Sequence, residues 1–154
     1  MMIKAFATGL SRMLVPVSLL AVGTSFVSAA IAQPTTSLYN PIPLPPSNQV
    51  SDTLSERDIP TGDGGFARDY LVRFNQGDNI AIDLTSDQFD TIVTLMSPEG
   101  ATLAENDDGP DGTTNSLLFT RITQTGNYIV RVRSFGETGG GAFTLRVTRL
   151  RPIQ

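Results

Sequence analysis

The chain contains no cysteine, no histidine and no tryptophan among its 154 residues. Without thiol or imidazole groups it can have no disulfide framework, no thiolate nucleophile, no Ser-His-Asp triad and no ordinary zinc site. Any metal ion would need oxygen ligands, which points to calcium or magnesium. The other aromatic residues fall mostly at inward or linker positions, so the sequence shows no exposed aromatic strip of the kind that binds carbohydrate.

Lysine occurs only once, at Lys4, within a segment that has the pattern of an export signal. Lys4 and Arg12 accompany an apolar run over 14–27, and Ala30-Ile31-Ala32 supplies the small-residue pattern of a cleavage site. The alternative is an uncleaved membrane anchor, for which the run is short and diluted by polar residues. We predict a signal peptide over 1–32 and a secreted or periplasmic product with no membrane span after cleavage.

Acidic residues outnumber basic ones once the leader is removed. Two of the 11 basic residues lie in 1–32 and all 15 acidic ones lie beyond it, so the formal charge becomes 9 − 15 = −6. This balance opposes non-specific binding to nucleic acid or to anionic lipid.

Proline is concentrated between residues 33 and 50, where no apolar periodicity is present. We interpret 33–50 as an extended Pro-rich linker, with a proline-rich recognition ligand as the alternative. The remaining residues, 51–151, suffice for one domain with one core.

That domain is predicted to be all-β, because apolar residues alternate with polar ones at a period of two, as in Tyr70, Val72 and Phe74. Gly and Asn/Asp clusters interrupt the runs at the spacing typical of sandwiches and jelly rolls. We predict an antiparallel, jelly-roll-like β-sandwich of about eight strands, over 50–55, 67–74, 79–85, 90–96, 101–105, 116–122, 127–134 and 142–150.

Carboxylates cluster in the loop after the fifth of these strands, in the string ENDDGPDG. Clustered carboxylates repel unless they are solvated, protonated or bridged by a cation, and Ca²⁺ accepts 6–8 oxygen ligands in flexible geometry. The alternative is an ordinary turn whose short polar side chains bond their own backbone. The candidate calcium ligands are Asp90, Asn106, Asp107, Asp108 and Asp111.

Asp90 allows two further interpretations. A buried Asp90 could tie the loop by accepting hydrogen bonds from backbone N–H groups instead of binding metal. Asp90 with Asp107 or Asp108 is also the only pair that could serve a two-carboxylate glycoside hydrolase, although the aromatic platform that sugars usually need is missing. We therefore predict a protein that is not an enzyme.

Two other charged sets are expected to lie on the surface. We predict that the outward face of a last hairpin carries Arg131, Arg133 and Arg146. This face is either an ordinary solvent-exposed sheet surface or a binding site for carboxylate or sulfate groups. A second acidic set is expected to consist of solvated loop residues: Asp52, Glu56, Asp58, Asp63 and Asp69.

Several short motifs occur in a fixed order: Tyr70-x-Val72-x-Phe74, Gly77-Asp78-x-Ile80-x-Ile82, Phe89-Asp90-Thr91, Pro98-x-Gly100, Asn106-Asp107-Asp108, Asn115-Ser116, Gly126-x-Tyr128 and Gly141-x-Phe143-x-Leu145. Over roughly residues 50 to 149 they resemble the bacterial pre-peptidase C-terminal domain. The resemblance implies a jelly-roll β-sandwich, an extracellular or periplasmic setting and an accessory or binding role. It carries over no peptidase activity, because no catalytic domain precedes the motifs. The chain is also similar to the collagen-binding domains of secreted collagenases, which implies Ca²⁺ as a possible ligand.

Together these observations predict a secreted, non-catalytic module that binds an extracellular or envelope protein or polysaccharide, with Ca²⁺ as the candidate stabilising ion. The alternative is a structural envelope component without a specific ligand.

Overall fold

The computed structural model describes residues 39–62, 64–110, 112–136 and 139–151. The predicted signal peptide, the first part of the predicted linker and Asp111 lie outside these ranges. Within them, no helix is long and apolar enough to span a membrane. The described ranges contain ten strands: β1 (Ile42–Pro43), β2 (Gln49–Leu54), β3 (Ile59–Pro60), β4 (Phe66–Phe74), β5 (Asn79–Thr85), β6 (Thr91–Met96), β7 (Thr102–Asn106), β8 (Ser116–Arg121), β9 (Gly126–Ser134) and β10 (Gly141–Leu150).

The strands form two sheets that pack as a sandwich. The larger sheet has the order β1-β4-β9-β6-β7, with β3 also paired to β4, and the smaller sheet has the order β2-β10-β5-β8. All pairs are antiparallel except β1 with β4. The predicted all-β sandwich is confirmed, and all eight predicted strands are present with boundaries that agree to within one residue.

The core lies between the two sheets, because every second side chain along each strand points inward. Tyr70 and Phe74 of the larger sheet are fully buried, as are Ile80 and Ile82 of the smaller one. Edge-on and tilted aromatic contacts join the two layers and neighbouring strands, such as the one between Tyr70 and Phe143 at 6.3 Å. Burying a large apolar side chain contributes about 1.5–3 kcal/mol, so this interior is the main source of stability.

Two short strands, β1 and β3, were missed by the sequence interpretation. Both pair with β4, Ile42 opposite Tyr70 and Ile59 opposite Ala67, and each ends in a proline. Proline lacks an N–H group, so it prevents further strands from adding at this edge. Strand β1 belongs to the segment predicted to be a linker, whose described part therefore contributes to the larger sheet.

The last two strands do not form a hairpin, which corrects one prediction. Strand β9 is in the larger sheet and β10 is in the smaller one, so the chain crosses between layers after Ser134. Arg131 and Arg133 consequently lie on the outer face of the larger sheet, whereas Arg146 lies on the smaller sheet, opposite Asp83 and Gln49. The three arginines cannot form a single site.

Candidate functional site

A row of polar side chains crosses the outer face of the larger sheet. Asp69 of β4 pairs in register with Arg131 of β9, Arg131 pairs with Thr94 of β6, and Thr94 pairs with Glu105 of β7. We call Asp69, Arg131, Thr94 and Glu105 the polar row. Directly opposed side chains in antiparallel strands lie close enough to interact, so the register places all four groups side by side.

An ion pair fixes one end of the polar row. Arg131 donates to Asp69 through Nε at 2.7 Å and through Nη2 at 2.8 Å, and the Asp69 side chain is only 1% exposed. The hydroxyl of Tyr39 donates to Asp69 Oδ2 at 2.5 Å. Partial burial and the bond to Asp69 raise the pKa of Tyr39 to about 12, and the bonds to Asp69 raise the pKa of Arg131. Three groups are thereby held in one geometry.

Glu105 organises the other end of the polar row. Its Oε2 accepts a hydrogen bond from Thr94 Oγ1 at 2.7 Å, and its Oε1 accepts one from Arg133 Nη2 at 3.1 Å. The Glu105 side chain is 43% exposed, against 1% for Asp69, whereas the two arginines are similarly exposed, at 26% for Arg133 and 29% for Arg131. Water screens exposed charges, so this second pair contributes less stability than the first.

The outer face of the larger sheet carries three depressions of about 320, 230 and 510 Å³. The first and second share Ile59 and Ala67, the second and third share Met96 and Arg131, and the first and third share Tyr39. They therefore adjoin one another, and we call their combined surface the outer-face groove. The polar row contributes to its floor, and Tyr39 lies where the first and third depressions meet.

A second ionic cluster lies between the sheets, at the side of the sandwich. Arg68 of β4 contacts Asp58 through two nitrogens at 2.7 and 2.9 Å and Asp52 of β2 at 2.5 Å, and Tyr70 donates to Asp52 at 3.0 Å. Burial alone would raise the pKa of Asp52, but hydrogen bonds from Arg68, the Thr53 N–H and Tyr70 lower it on balance.

The expectation that the second acidic set would be solvated is therefore wrong for three of its members. Asp52 and Asp58 are held by Arg68, and Asp69 is held by Arg131. Glu56 is exposed, as expected, and Asp63 lies outside the described residues. The arginine partners are distant in sequence, up to 62 residues from the acid.

The acidic loop follows β7, and its backbone is held by Asn106. The Asn106 side chain donates to the carbonyls of Asp108 at 2.7 Å and Leu117 at 2.8 Å, and the Leu117 N–H donates to the same Asp108 carbonyl at 3.1 Å. These are bonds of the kind that the turn interpretation predicted. The carboxylates of Asp107 and Asp108 are exposed and have no hydrogen bond or ion pair with any described residue.

Of the other predicted calcium ligands, Asp90 is placed less favourably for binding the ion, and Asp111 lies outside the described residues. In the described part of the chain, no three acidic side chains come close enough to hold a metal ion. Asp111, a predicted ligand, lies outside that part, so the calcium site stays a prediction. Asp90 is half-buried, and its carbonyl accepts a hydrogen bond from the Phe135 N–H at 2.8 Å, whereas its carboxylate accepts none from the residues that the structure describes.

Hydroxyl groups, rather than Asp90, tie the loop to the sandwich. Thr91 and Ser116 are buried, their side-chain oxygens are 2.6 Å apart, and both bond backbone carbonyls nearby. The Ser86 N–H donates to the Asn115 side chain at 2.9 Å. The predicted tie by Asp90 is therefore wrong. The FDT and NS motifs that carry these hydroxyls were visible in the sequence, but their contacts across the two sheets were not.

Comparisons with known proteins agree with this architecture. Residues 68–134 match the profile of the bacterial pre-peptidase C-terminal domain. Among solved structures, the chain is similar to PliG of Aeromonas hydrophila, a periplasmic lysozyme inhibitor of g-type lysozyme, with 11% identity and a TM-score of 0.52 over 71% of this chain and 95% of that one. It is also similar to the pre-peptidase C-terminal domain of collagenase from Bacillus anthracis, with 17% identity and a TM-score of 0.50 over 71% and 93%.

At these identities, the two structural likenesses show the fold alone. No curated protein matches the sequence. The matched stretch runs from Arg68 in β4 to Ser134 at the end of β9, and it includes the whole polar row. The resemblance indicated by the sequence motifs is thereby confirmed over residues 68–134.

Proposed function

We propose that this chain is a secreted or periplasmic, non-catalytic module that binds a protein or polysaccharide surface through its outer-face groove. The family match and the fold of the two neighbours support a non-catalytic β-sandwich. The export pattern of residues 1–32 supports a location outside the cytoplasm.

The observation that carries the proposal is the combination of fixed polar groups and exposed apolar groups in one groove. The Asp69–Arg131 pair holds its floor, while Tyr39 and Ile59 remain 46% and 38% exposed. Tyrosine and arginine are the residue types that most often dominate binding energy at interfaces. A surface that is already ordered loses less entropy when a partner binds.

The neighbours suggest partners for a first test, without identifying one. PliG of Aeromonas hydrophila inhibits g-type lysozyme, and the other neighbour is part of a collagenase. The panel should therefore contain a g-type lysozyme, collagen and insoluble cell-wall polysaccharide. The negative charge expected for the mature chain favours partners with a basic surface.

Two matched substitutions locate the binding surface. Asn127 is an exposed residue of β9 that lines the groove, and Thr148 is an exposed residue of β10 on the other sheet. We expect Asn127→Arg to abolish saturable binding to the partner found in the panel, and Thr148→Arg to leave it unchanged. Equal effects of the two substitutions would contradict the groove, and no saturable binding in the panel would favour a structural envelope component.

We propose further that calcium stabilises the acidic loop. The support is that Asp107 and Asp108 present exposed carboxylates with no described partner, next to a backbone that Asn106 already holds. Asp90, Asn106 and Asp111 are the remaining proposed ligands. Calcium would screen the repulsion among these groups and would join the loop to the start of β6.

A further inference from the structure

The largest depression of the outer-face groove, at about 510 Å³, has an apolar floor and a polar rim. Leu71, Met96 and Ile129 supply apolar surface, while Asn127 and the charged groups of Glu99 and Arg131 stand around it. Its volume lies within the range of about 300–1,000 Å³ that is usual for small-molecule sites.

Tyr39 presents a fixed aromatic ring to this depression. Tyr39 as a residue is 46% exposed, and its hydroxyl is anchored at 2.5 Å to Asp69, which Arg131 holds with two bonds. The anchor restricts rotation of the side chain, so a ligand that stacks on the ring does not have to order it first. Tyrosine combines an apolar face with a polar end, which suits a ligand of the same dual character.

The charges of the depression disfavour an anionic ligand. Asp69 compensates Arg131, and the carboxylate of Glu99 adds one further negative charge at the rim. An anionic ligand would gain no net attraction there. A pyranose ring meets the remaining requirements, because its C–H face can pack on the negative face of an aromatic ring while its hydroxyls bond amide, carboxylate and guanidinium groups.

We propose that the third depression of the groove is a subsite for a neutral sugar ring, with Tyr39 as its stacking platform. This inference rests on the proposed function and specifies its ligand class. Asn127, Glu99 and Arg131 would bond the hydroxyls of the sugar. The site was invisible in the sequence because Tyr39 falls in the segment predicted to be a linker.

A different cavity of about 430 Å³ on the smaller sheet lacks these properties. Its lining includes the hydroxyls of Ser51, Thr85 and Thr144, and the one aromatic residue among its described lining, Phe143, is 3% exposed. It offers polar groups without an accessible face for stacking.

The test uses titration calorimetry of the mature chain with soluble neutral glycans, namely a β-glucan, a mannan and a chitooligosaccharide, and with polygalacturonate as the anionic comparison. We expect at least one neutral glycan to bind and polygalacturonate not to bind. Tyr39→Ala should weaken binding by about tenfold or more, which corresponds to loss of the stacking face. Phe119→Ala, which removes a ring that is 63% exposed on β8, should leave affinity unchanged.

Tyr39→Phe separates the ring from its anchor. It loses the same bond to Asp69 as the alanine variant but keeps the ring, so we expect it to retain most of the affinity. Equal affinity of Tyr39→Ala and wild type, or preferential binding of polygalacturonate, would overturn the sugar subsite. If no neutral glycan binds but a protein from the panel binds and Asn127→Arg abolishes this, the sugar subsite falls and the proposed function stands. If neither ligand class binds, both fall.

Discussion

Replacing Asp69 by asparagine tests whether the buried ion pair stabilises the outer face of the larger sheet. Asparagine has nearly the same shape, but it removes the charge and places an NH₂ group where the carboxylate accepted hydrogen bonds. Asp69 accepts three such bonds, two from Arg131 and one from Tyr39. At least one of these donors would then face another donor.

The expected loss can be bounded from the exposure of the two partners. Breaking a fully buried pair costs about 3–5 kcal/mol, and a hydrogen bond to a charged group contributes about 1.5–3 kcal/mol. The Asp69 side chain is 1% exposed, but Arg131 is 29% exposed and can regain part of its hydration. We therefore expect Asp69→Asn to lower the free energy of unfolding by about 2–3 kcal/mol, toward the lower end of these ranges.

The assay is urea denaturation followed by circular dichroism, with Glu105→Gln as the matched control. Glu105 also belongs to the polar row and also has an arginine partner, but its side chain is 43% exposed. We expect the control to lose less than about 1 kcal/mol. Equal losses in the two variants, or a loss below about 0.5 kcal/mol for Asp69→Asn, would refute the reasoning from burial.

Two titrating groups and the proposed calcium site give three further predictions. Because the pKa of Asp52 is lowered in the folded state, its contribution is present above the ordinary value of 3.8 and is lost as the pH falls through the folded-state pKa; Asp52→Asn should therefore destabilise the protein more at pH 7 than at acidic pH. Because the pKa of Tyr39 is raised to about 12, its contribution is present below about pH 10 and is lost as the pH approaches 12; ultraviolet titration should show a tyrosinate step near 12 that Tyr39→Phe removes. Calcium at about 100 times its Kd should stabilise the chain by about 2.7 kcal/mol; no change in Tm between millimolar calcium and chelator, or an unchanged shift in Asp107→Ala with Asp108→Ala, would exclude the proposed site.

The strands could be predicted because their signal is local. Tyr70, Val72 and Phe74 are buried, while the intervening Leu71 and Arg73 are half-buried and exposed, and one buried face is enough to reveal a strand. Strands β1 and β3 have only two residues each, so no period can be detected in them. Their formation depends on the edge of β4, which only the folded sheet provides.

The outer-face groove could not be predicted because it depends on register between distant strands. Alternation shows that Arg131 faces away from the core, but it does not show that Asp69 and Thr94 stand on either side of it. The same limitation explains why Arg146 was wrongly placed on one face with Arg131 and Arg133. Alternation shows which side of its own sheet a residue lies on, but it does not show to which sheet the strand belongs. The family resemblance helped with the fold and left these contacts open.

The position of the final strand has a consequence for biogenesis. Strand β10 lies in the middle of the smaller sheet, where it pairs with β2 on one side and β5 on the other. These pairings join residues up to about a hundred positions apart, and contacts of such long range form slowly. The smaller sheet therefore cannot close until residues 141–150 have been synthesised, and before that point β2 and β5 lack the strand that lies between them.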